Sequence, residues 1–218
     1  MQTLTGCVFT GGEGPPARSC RLYAEEAAII VAADSGLLLA RAAGIRPDYI
    51  IGDMDSLPDT GILAEYDAAR VIRFPREKDY TDTELALNLL REKGCARSIL
   101  VGGGGGRLDH LLAVYSLFHR SSPPSVWVTD KYEVVYIKEK YRLTARPGEE
   151  VSFFPVGEGS VRMKSRGLKW PLDSLEWRTG DAGVSNIVTE APAEIEVLSG
   201  AVILLSALSA LPQGGLLS

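Results

Sequence analysis

The chain has 218 residues, of which 45% are hydrophobic and 23% charged, and a formal net charge of −5. That length and apolar content suffice for one large or two small globular domains with a sizeable core. The negative balance argues against a nucleic-acid backbone or an anionic membrane surface as main partner, and leaves any phosphate-bearing ligand to a few placed cations or a metal.

Six apolar runs come first in chain order: GCVFTGG, AIIVAADSG, YIIGDMDS, ARVIRFP, SILVGGGGG and SVWVTD. Between them lie helical stretches. TDTELALNLLREKG is the clearest, with Leu85, Ala86, Leu89 and Leu90 at helical spacing, a capping box from Thr81 to Glu84, and Gly94 as its stop. RLDHLLAVYSLFHR repeats the pattern with Leu108, Leu111, Leu112 and Tyr115 as its expected apolar face. Strands apolar throughout, separated by helices, predict an α/β domain with a mostly parallel, Rossmann-like sheet. Beyond Lys138 the runs EEVSFFPVG, GSVRMKSRGLKWPL, GVSNIV and AEIEVLSGAVILLSA are short and broken by Gly, Pro and Ser, which predicts an all-β domain, sandwich-like or a small barrel. Ser199-Gly200 is expected to join two of these strands as a hairpin. The expected division is therefore 1–138 and 139–218, with the tail PQGGLLS expected to be disordered.

Cys7, Cys20 and Cys95 have neither metal-ligand spacing nor a disulfide framework, which suits a reducing compartment. The residues before Cys7 are too few for a secretory signal. The late apolar run GAVILLSALSALP is about half the length of a membrane span. A cytoplasmic protein that binds neither membrane nor nucleic acid is expected.

In a parallel α/β sheet, ligands bind beyond the carboxyl ends of the strands. The residues just past those ends are Gly11 and Gly12; Asp34, Ser35 and Gly36; Asp53, Asp55 and Ser56; Lys78, Asp79, Thr81 and Asp82; and Gly102 to Gly106 followed by Arg107, Asp109 and His110. Each acid has a structural use of its own: Asp82 and Asp109 suit the first turn of a helix, and Asp34 an N-cap. Their concentration at one edge favours a site for a hard cation, which wants oxygen ligands. Asp53 and Asp55, at i and i+2 of an extended segment, should project the same way, and a cation between them would offset their repulsion. The glycine run precedes a helix, where backbone N–H groups can hold phosphate, and a plain flexible turn is its alternative. Arg107 stands where a dinucleotide fingerprint needs glycine, and no P-loop occurs. Acids for Mg²⁺, glycines for phosphate, and Lys78 and Arg107 as cations form the parts of a phosphoryl-transfer site. His119, at a helix end, is expected on the surface.

ADSG, PDYIIGDMDS, KDYTDTELAL and GGRLDH, in that order, closely resemble the thiamine pyrophosphokinase family, and GLKWPL with GVSN resembles its C-terminal domain. The resemblance covers nearly the whole chain. It implies transfer of the pyrophosphate group of ATP to the hydroxyl of thiamine, giving thiamine diphosphate and AMP. Asp53, Asp55 and Asp82 then look like the Mg²⁺ and phosphate-site acids, with Asp109 a further catalytic candidate and Asp82 or Asp109, or solvent, the acceptor of the alcohol proton. Asp34, Ser35, Gly36, Ser56, Lys78, Asp79, Thr81, Gly105, Gly106, Arg107 and His110 look like the ATP site. Trp170, Ser185 and Asn186 match positions that meet thiamine across a homodimer interface, Trp170 offering a flat face that a core position would deny it. Met54 departs from the aromatic often found between the two acids. Diphosphate transfer to a pterin alcohol, a non-catalytic nucleotide or thiamine diphosphate sensor, and a D-x-D nucleotide-sugar transferase are the competing readings. The last leaves the glycine run and TDTELAL unexplained.

Overall fold

The computed structural model describes residues 3–174 and 176–208. The tail PQGGLLS lies outside them. One compact unit comprises the chain up to Leu111 together with Trp127–Asp130, and the other Leu112–Val126 and the chain from Lys131. The 138/139 division falls in the turn after a strand of the second unit, Tyr132–Ile137.

In the first unit β1 (Thr5–Phe9), α1 (Ala17–Glu25), β2 (Ile29–Ala33), α2 (Gly36–Ala42), β3 (Tyr49–Gly52), β4 (Val71–Arg73), α3 (Asp82–Glu92) and β5 (Arg97–Val101) follow one another, and α4 (Leu108–Leu117) and β6 (Val126–Val128) come next in the chain. The strands β5-β1-β2-β3-β4 are adjacent in that order and all parallel. Their centres are buried β-branched and aliphatic residues such as Val31, Ile50, Ile51, Ile99 and Leu100, as a sheet covered on both faces requires. The expected capping box starts α3: Thr81 Oγ1 accepts from Glu84 N at 3.2 Å, and Thr81 N donates to Glu84 Oε2 at 2.9 Å. At Gly36 a Cβ would lie 2.1 Å from the Phe9 carbonyl oxygen, so glycine lets α2 start hard against the end of β1.

The expected apolar face of α4 is corrected. Leu108 and Leu112 are 66% and 57% exposed, and the buried side of the helix is Val114 and Leu117. The helix is apolar on two stripes, so its periodicity fixes the period without fixing which stripe turns inward. His119 is likewise not plain surface. It is half-buried, its Nδ1 accepts from Gly157 N at 3.3 Å, and its ring meets Tyr115 edge-on.

The second unit carries β7 (Tyr132–Ile137), β8 (Lys140–Leu143), β9 (Glu150–Val156), β10 (Ser160–Arg166), β11 (Glu176–Arg178), β12 (Gly183–Ile187), β13 (Ala193–Ser199) and β14 (Ala201–Ala207). They form antiparallel arrays ordered β12-β9-β14-β7 and β11-β10-β13-β8. One apolar core takes Phe153, Val202 and Leu204 from the first array and Val161, Met163 and Ile195 from the second, the sandwich expected from short runs broken by Gly, Pro and Ser. Ser199-Gly200 does not make a hairpin. β13 pairs with β10 and β8 whereas β14 pairs with β7 and β9, so the chain changes sheets at Gly200, whose φ is +74°. A turn signal marks where the chain bends, and pairing is decided by which face each strand must bury.

Candidate active site

Three acids converge at the carboxyl edge of the parallel sheet. Asp34 follows β2 with φ +48°, its N–H donating to Ile51 O at 2.9 Å; Asp53 follows β3; Asp82 opens α3. One carboxylate oxygen from each lies within 4.8 Å of the other two. Lys78, only 12% exposed, puts its Nζ 2.9 Å from Asp82 Oδ1 and 3.9 Å from Asp53 Oδ2, and donates to Pro75 O at 3.2 Å. Asp34 Oδ1 is enclosed and accepts no hydrogen bond among the described residues. Gly52 has φ +146°, and a Cβ there would stand 3.2 Å from Asp34 Cβ and from Asp82 Cγ and Oδ1, so the space between the acids depends on glycine. The Asp55 N–H, with Lys78 adding to it, holds Asp53 below the ordinary carboxylate range. Burial pushes Asp82 up against the pull of Lys78, and the charges of Asp34 and Asp53 push the same way. An all-oxygen donor set, an enclosed oxygen without a donor and a cleared space between them fit a hard divalent cation.

Asp55 stands apart from this group. β3 ends at Gly52 and Met54 has φ +67°, so the two acids are not successive same-side residues of a strand. The Asp55 N–H donates to Asp53 Oδ1 at 3.1 Å, while its carboxylate lies 3.4 Å from Arg76 Nε and accepts from Ser56 Oγ at 3.2 Å. The left-handed residue sends the Met54 side chain down into a core with Ile50, Leu57 and Leu63. The position that departs from the family's aromatic is thus the anchor beneath the site.

The loops after β1 and β5 are laced together. Gly103 N donates to Gly11 O at 3.0 Å, and Gly104 and Glu13 exchange N–H···O bonds of 2.9 Å each. A Cβ on Gly12 would meet Gly104 O at 2.7 Å, and one on Gly102 would meet Thr10 O at 2.4 Å. β1 lies between β2 and β5, so this is the point where the strand order reverses. Gly102, Gly103 and Gly104 spend their N–H groups on Val128 O, Gly11 O and Glu13 O, and among the described residues no backbone bond is made by the N–H of Gly105 or Gly106. Beyond them the exposed Arg107 forks onto Asp109, Nε to Oδ1 at 3.2 Å and Nη2 to Oδ2 at 2.5 Å, and this pair pulls Asp109 down to about 2. His110, Asp79 and Ser56 are exposed, Thr81 caps α3, and Ser35 and Gly36 begin α2.

In the β unit Trp170 is 52% exposed, which rules out a core position for it; Trp177 is the buried tryptophan. Lys169 Nζ lies 4.7 Å from the Trp170 ring centroid. Asn186, itself buried, clasps the Trp170 backbone: its Oδ1 accepts from Trp170 N at 3.2 Å and its Nδ2 donates to Trp170 O at 2.7 Å. Ile187 N donates to the same Oδ1 at 2.9 Å. Ser185, exposed with φ +56°, sits at an irregularity in the β12–β9 pairing and donates from N to Ser152 Oγ at 3.1 Å.

Sequence reasoning missed Gly52, Arg76, Lys169 and the Thr10–Thr83 hydroxyl contact of 2.7 Å that ties β1 to α3. It assigned Asp34 to the nucleotide site, whereas the structure brings its carboxylate next to those of Asp53 and Asp82. A glycine directly before paired acids at a strand end was the one available signal.

The catalytic-domain model of thiamin pyrophosphokinase matches residues 20–128, and its vitamin B1 binding domain model matches 135–202. The chain belongs to the thiamine pyrophosphokinase family. A thiamine pyrophosphokinase of Bacillus subtilis (strain 168) is 25% identical over 190 residues, covering 84% of this chain and 89% of that protein. A crystal structure of thiamin pyrophosphokinase from Geobacillus thermodenitrificans is similar at a TM-score of 0.73 and 25% identity, over 95% of this chain and 99% of that one. The B. subtilis crystal structure shares the fold at a TM-score of 0.78 and 23% identity, over 94% and 99%. The chain is accordingly an enzyme with thiamine pyrophosphokinase activity, transferring the pyrophosphate group of ATP to thiamine. No helix among the described residues is long and apolar enough to cross a membrane.

Proposed function

We propose that Asp34, Asp53 and Asp82 hold a Mg²⁺ ion together with the ATP phosphates, and that pyrophosphoryl transfer to thiamine takes place at this edge of the sheet. The observation that carries the reading is the approach of three carboxylate oxygens to within 4.8 Å of one another around a space kept clear by Gly52. A bound Mg²⁺ would neutralise phosphate charge as the bond to AMP breaks. Lys78 and Arg107 supply further positive charge, and the N–H groups of Gly105 and Gly106 receive phosphate oxygens. Ser35, Gly36, Ser56, Asp79, Thr81 and His110 line the same edge. Asp82 or solvent accepts the thiamine hydroxyl proton; Asp109, drawn down to about 2 by Arg107, is a poor base. Asp55 acts from outside the cluster by pairing with Arg76 and fixing the Asp53 turn through its own N–H.

Residues 1–138 are then the ATP- and Mg²⁺-binding part, and 139–218 bind thiamine and dimerise. Thiamine rests on the exposed Trp170 ring, with Ser185 beside it, at a homodimer interface of a cytoplasmic enzyme. The match of the B1 binding domain model to residues 135–202 and the exposure of an aromatic face support this part.

A chromatographic assay with ATP, Mg²⁺ and thiamine tests the reading. Equal, Mg²⁺-dependent formation of AMP and thiamine diphosphate is expected; ADP with thiamine monophosphate overturns the point of attack. Asp34→Asn should cut turnover at least as deeply as Asp53→Asn, and more deeply than Asp55→Asn. A larger loss at Asp55 would restore it to the metal set at the expense of Asp34. Sedimentation at assay concentrations reports the dimer.

A further inference from the structure

We infer that Lys78 is an internal counter-cation of the acid cluster, which a divalent metal displaces, and that its ammonium then turns to the phosphates of ATP. This rests on the Mg²⁺ reading above. Lys78 precedes Asp82 by one helical turn in the chain, yet it lies in the loop before α3, and only its side chain reaches the cluster. There its Nζ stands 2.9 Å from Asp82 Oδ1 and 3.9 Å from Asp53 Oδ2. Three acids packed this closely repel, and the lysine is the one cation whose nitrogen lies within 4.0 Å of any of their oxygens among the described residues. It therefore does for the metal-free protein what a metal does for the loaded one.

The two cations compete for the same oxygens. Magnesium binds oxygen at about 2.1 Å and demands near-octahedral geometry. With Nζ held at 2.9 Å from Asp82 Oδ1, a metal on that oxygen would sit within about 5 Å of the ammonium, well inside the screening length at physiological salt. The protein relieves this by moving the lysine, because its flexible stem is the mobile partner while Asp53 and Asp82 are fixed by a turn and a helix start. The loop that carries it is largely exposed, and beyond the acids its ammonium donates to Pro75 O alone among the described residues, so the movement breaks little else. Released at the mouth of the acid cluster, the ammonium faces the space where phosphate charge gathers. One residue thus protects the empty site and then helps to bind the nucleotide.

Mn²⁺ binding to the full-length protein, read from the electron paramagnetic resonance of the free ion, tests this without turnover. Without nucleotide, Lys78→Met should bind Mn²⁺ about tenfold more tightly than wild type, since a like charge is gone from the site. Lys78→Gln should do the same and serves where the Met variant does not fold. With ATP present, both variants should bind nucleotide more weakly. Unchanged or weaker Mn²⁺ binding in both variants overturns the inference. Wild-type protein gives an independent reading: acetylation of Lys78 by acetic anhydride, followed by peptide mass spectrometry, should rise on adding Mn²⁺ and fall again with a non-hydrolysable ATP analogue. Acetylation indifferent to Mn²⁺ overturns it as well. Absence of any Mn²⁺ binding sensitive to Asp53→Asn would instead count against the Mg²⁺ reading itself, which keeps the two failures apart.

Discussion

Asn186→Ala removes the clasp on Trp170, and its consequences can be worked from the hydrogen bonds lost. The buried amide makes three, at 3.2, 2.7 and 2.9 Å, two of them to the Trp170 backbone. Each is worth about 1 kcal/mol net. Trp170 is half-exposed, so water can replace part of what is lost at its N–H and C=O, and a total near 2 kcal/mol of unfolding free energy is expected. The functional effect is separate. A cationic ring stacked on tryptophan gains about 1–2 kcal/mol, so a loosened Trp170 should raise the KM for thiamine about tenfold. The KM for ATP should stay within about twofold of wild type, because the nucleotide residues lie in other elements. Steady-state rates of AMP formation at varied thiamine and varied ATP give both constants, and urea denaturation gives the stability. Asn186→Asp sharpens the test: it keeps the acceptor for Trp170 N and Ile187 N but sets an oxygen against Trp170 O. It should therefore reproduce the rise in thiamine KM. Equal shifts in both KM values, or a thiamine KM untouched in the Ala variant, would refute the clasp and return Asn186 to a general structural role.

Gly52→Ala should abolish most turnover while leaving a folded protein, since the strained φ costs about 1–3 kcal/mol and the new methyl enters the space between Asp34 and Asp82; loss of Mn²⁺ binding alongside activity is the check. Carbon NMR of the Asp109 carboxyl should titrate near 2 and move up toward the ordinary carboxylate range in Arg107→Gln, with the His110 N–H still holding it somewhat down. Because the folded value lies below the unfolded one, the stability contributed by this pair is present above the unfolded value and is lost as pH falls through the folded one. Thr81→Ala should cost about 1 kcal/mol in urea unfolding with an unchanged m-value, by removing the cap that also starts α3 at Asp82.

Much of the fold was legible because its signals are local and mutually consistent. Six apolar runs and the capping box at Thr81 and Glu84 each follow from a periodicity or a cap that needs no partner to be recognised. What failed needed knowledge of a partner. Leu108 and Leu112 lie on a proper helical stripe, but Val114 and Leu117 won the buried side. Ser199-Gly200 has hairpin chemistry, but β13 and β14 each had a better face to bury in a different sheet. The role of Asn186 was hidden for the same reason: a polar residue in a substrate-like motif does not reveal that its amide is already spent on the backbone of Trp170.

The acid cluster shows most clearly how one dihedral redirects a site. In the one-dimensional pattern Asp53 and Asp55 are a pair, and Asp34, nineteen positions earlier, is a bystander. The pairing would hold if the chain stayed extended. It turns instead at Met54, because a thioether side chain gains on the order of 2 kcal/mol or more by burial with Ile50, Leu57 and Leu63, enough to offset the roughly 1–2 kcal/mol cost of a left-handed non-glycine residue. Once the chain turns there, Asp55 is carried out to Arg76 and its N–H is delivered to Asp53. Asp34, already left-handed at the end of the neighbouring strand, supplies the third carboxylate. The residue between the two acids thus decides which acids meet, and core packing beneath the site sets which carboxylates converge above it.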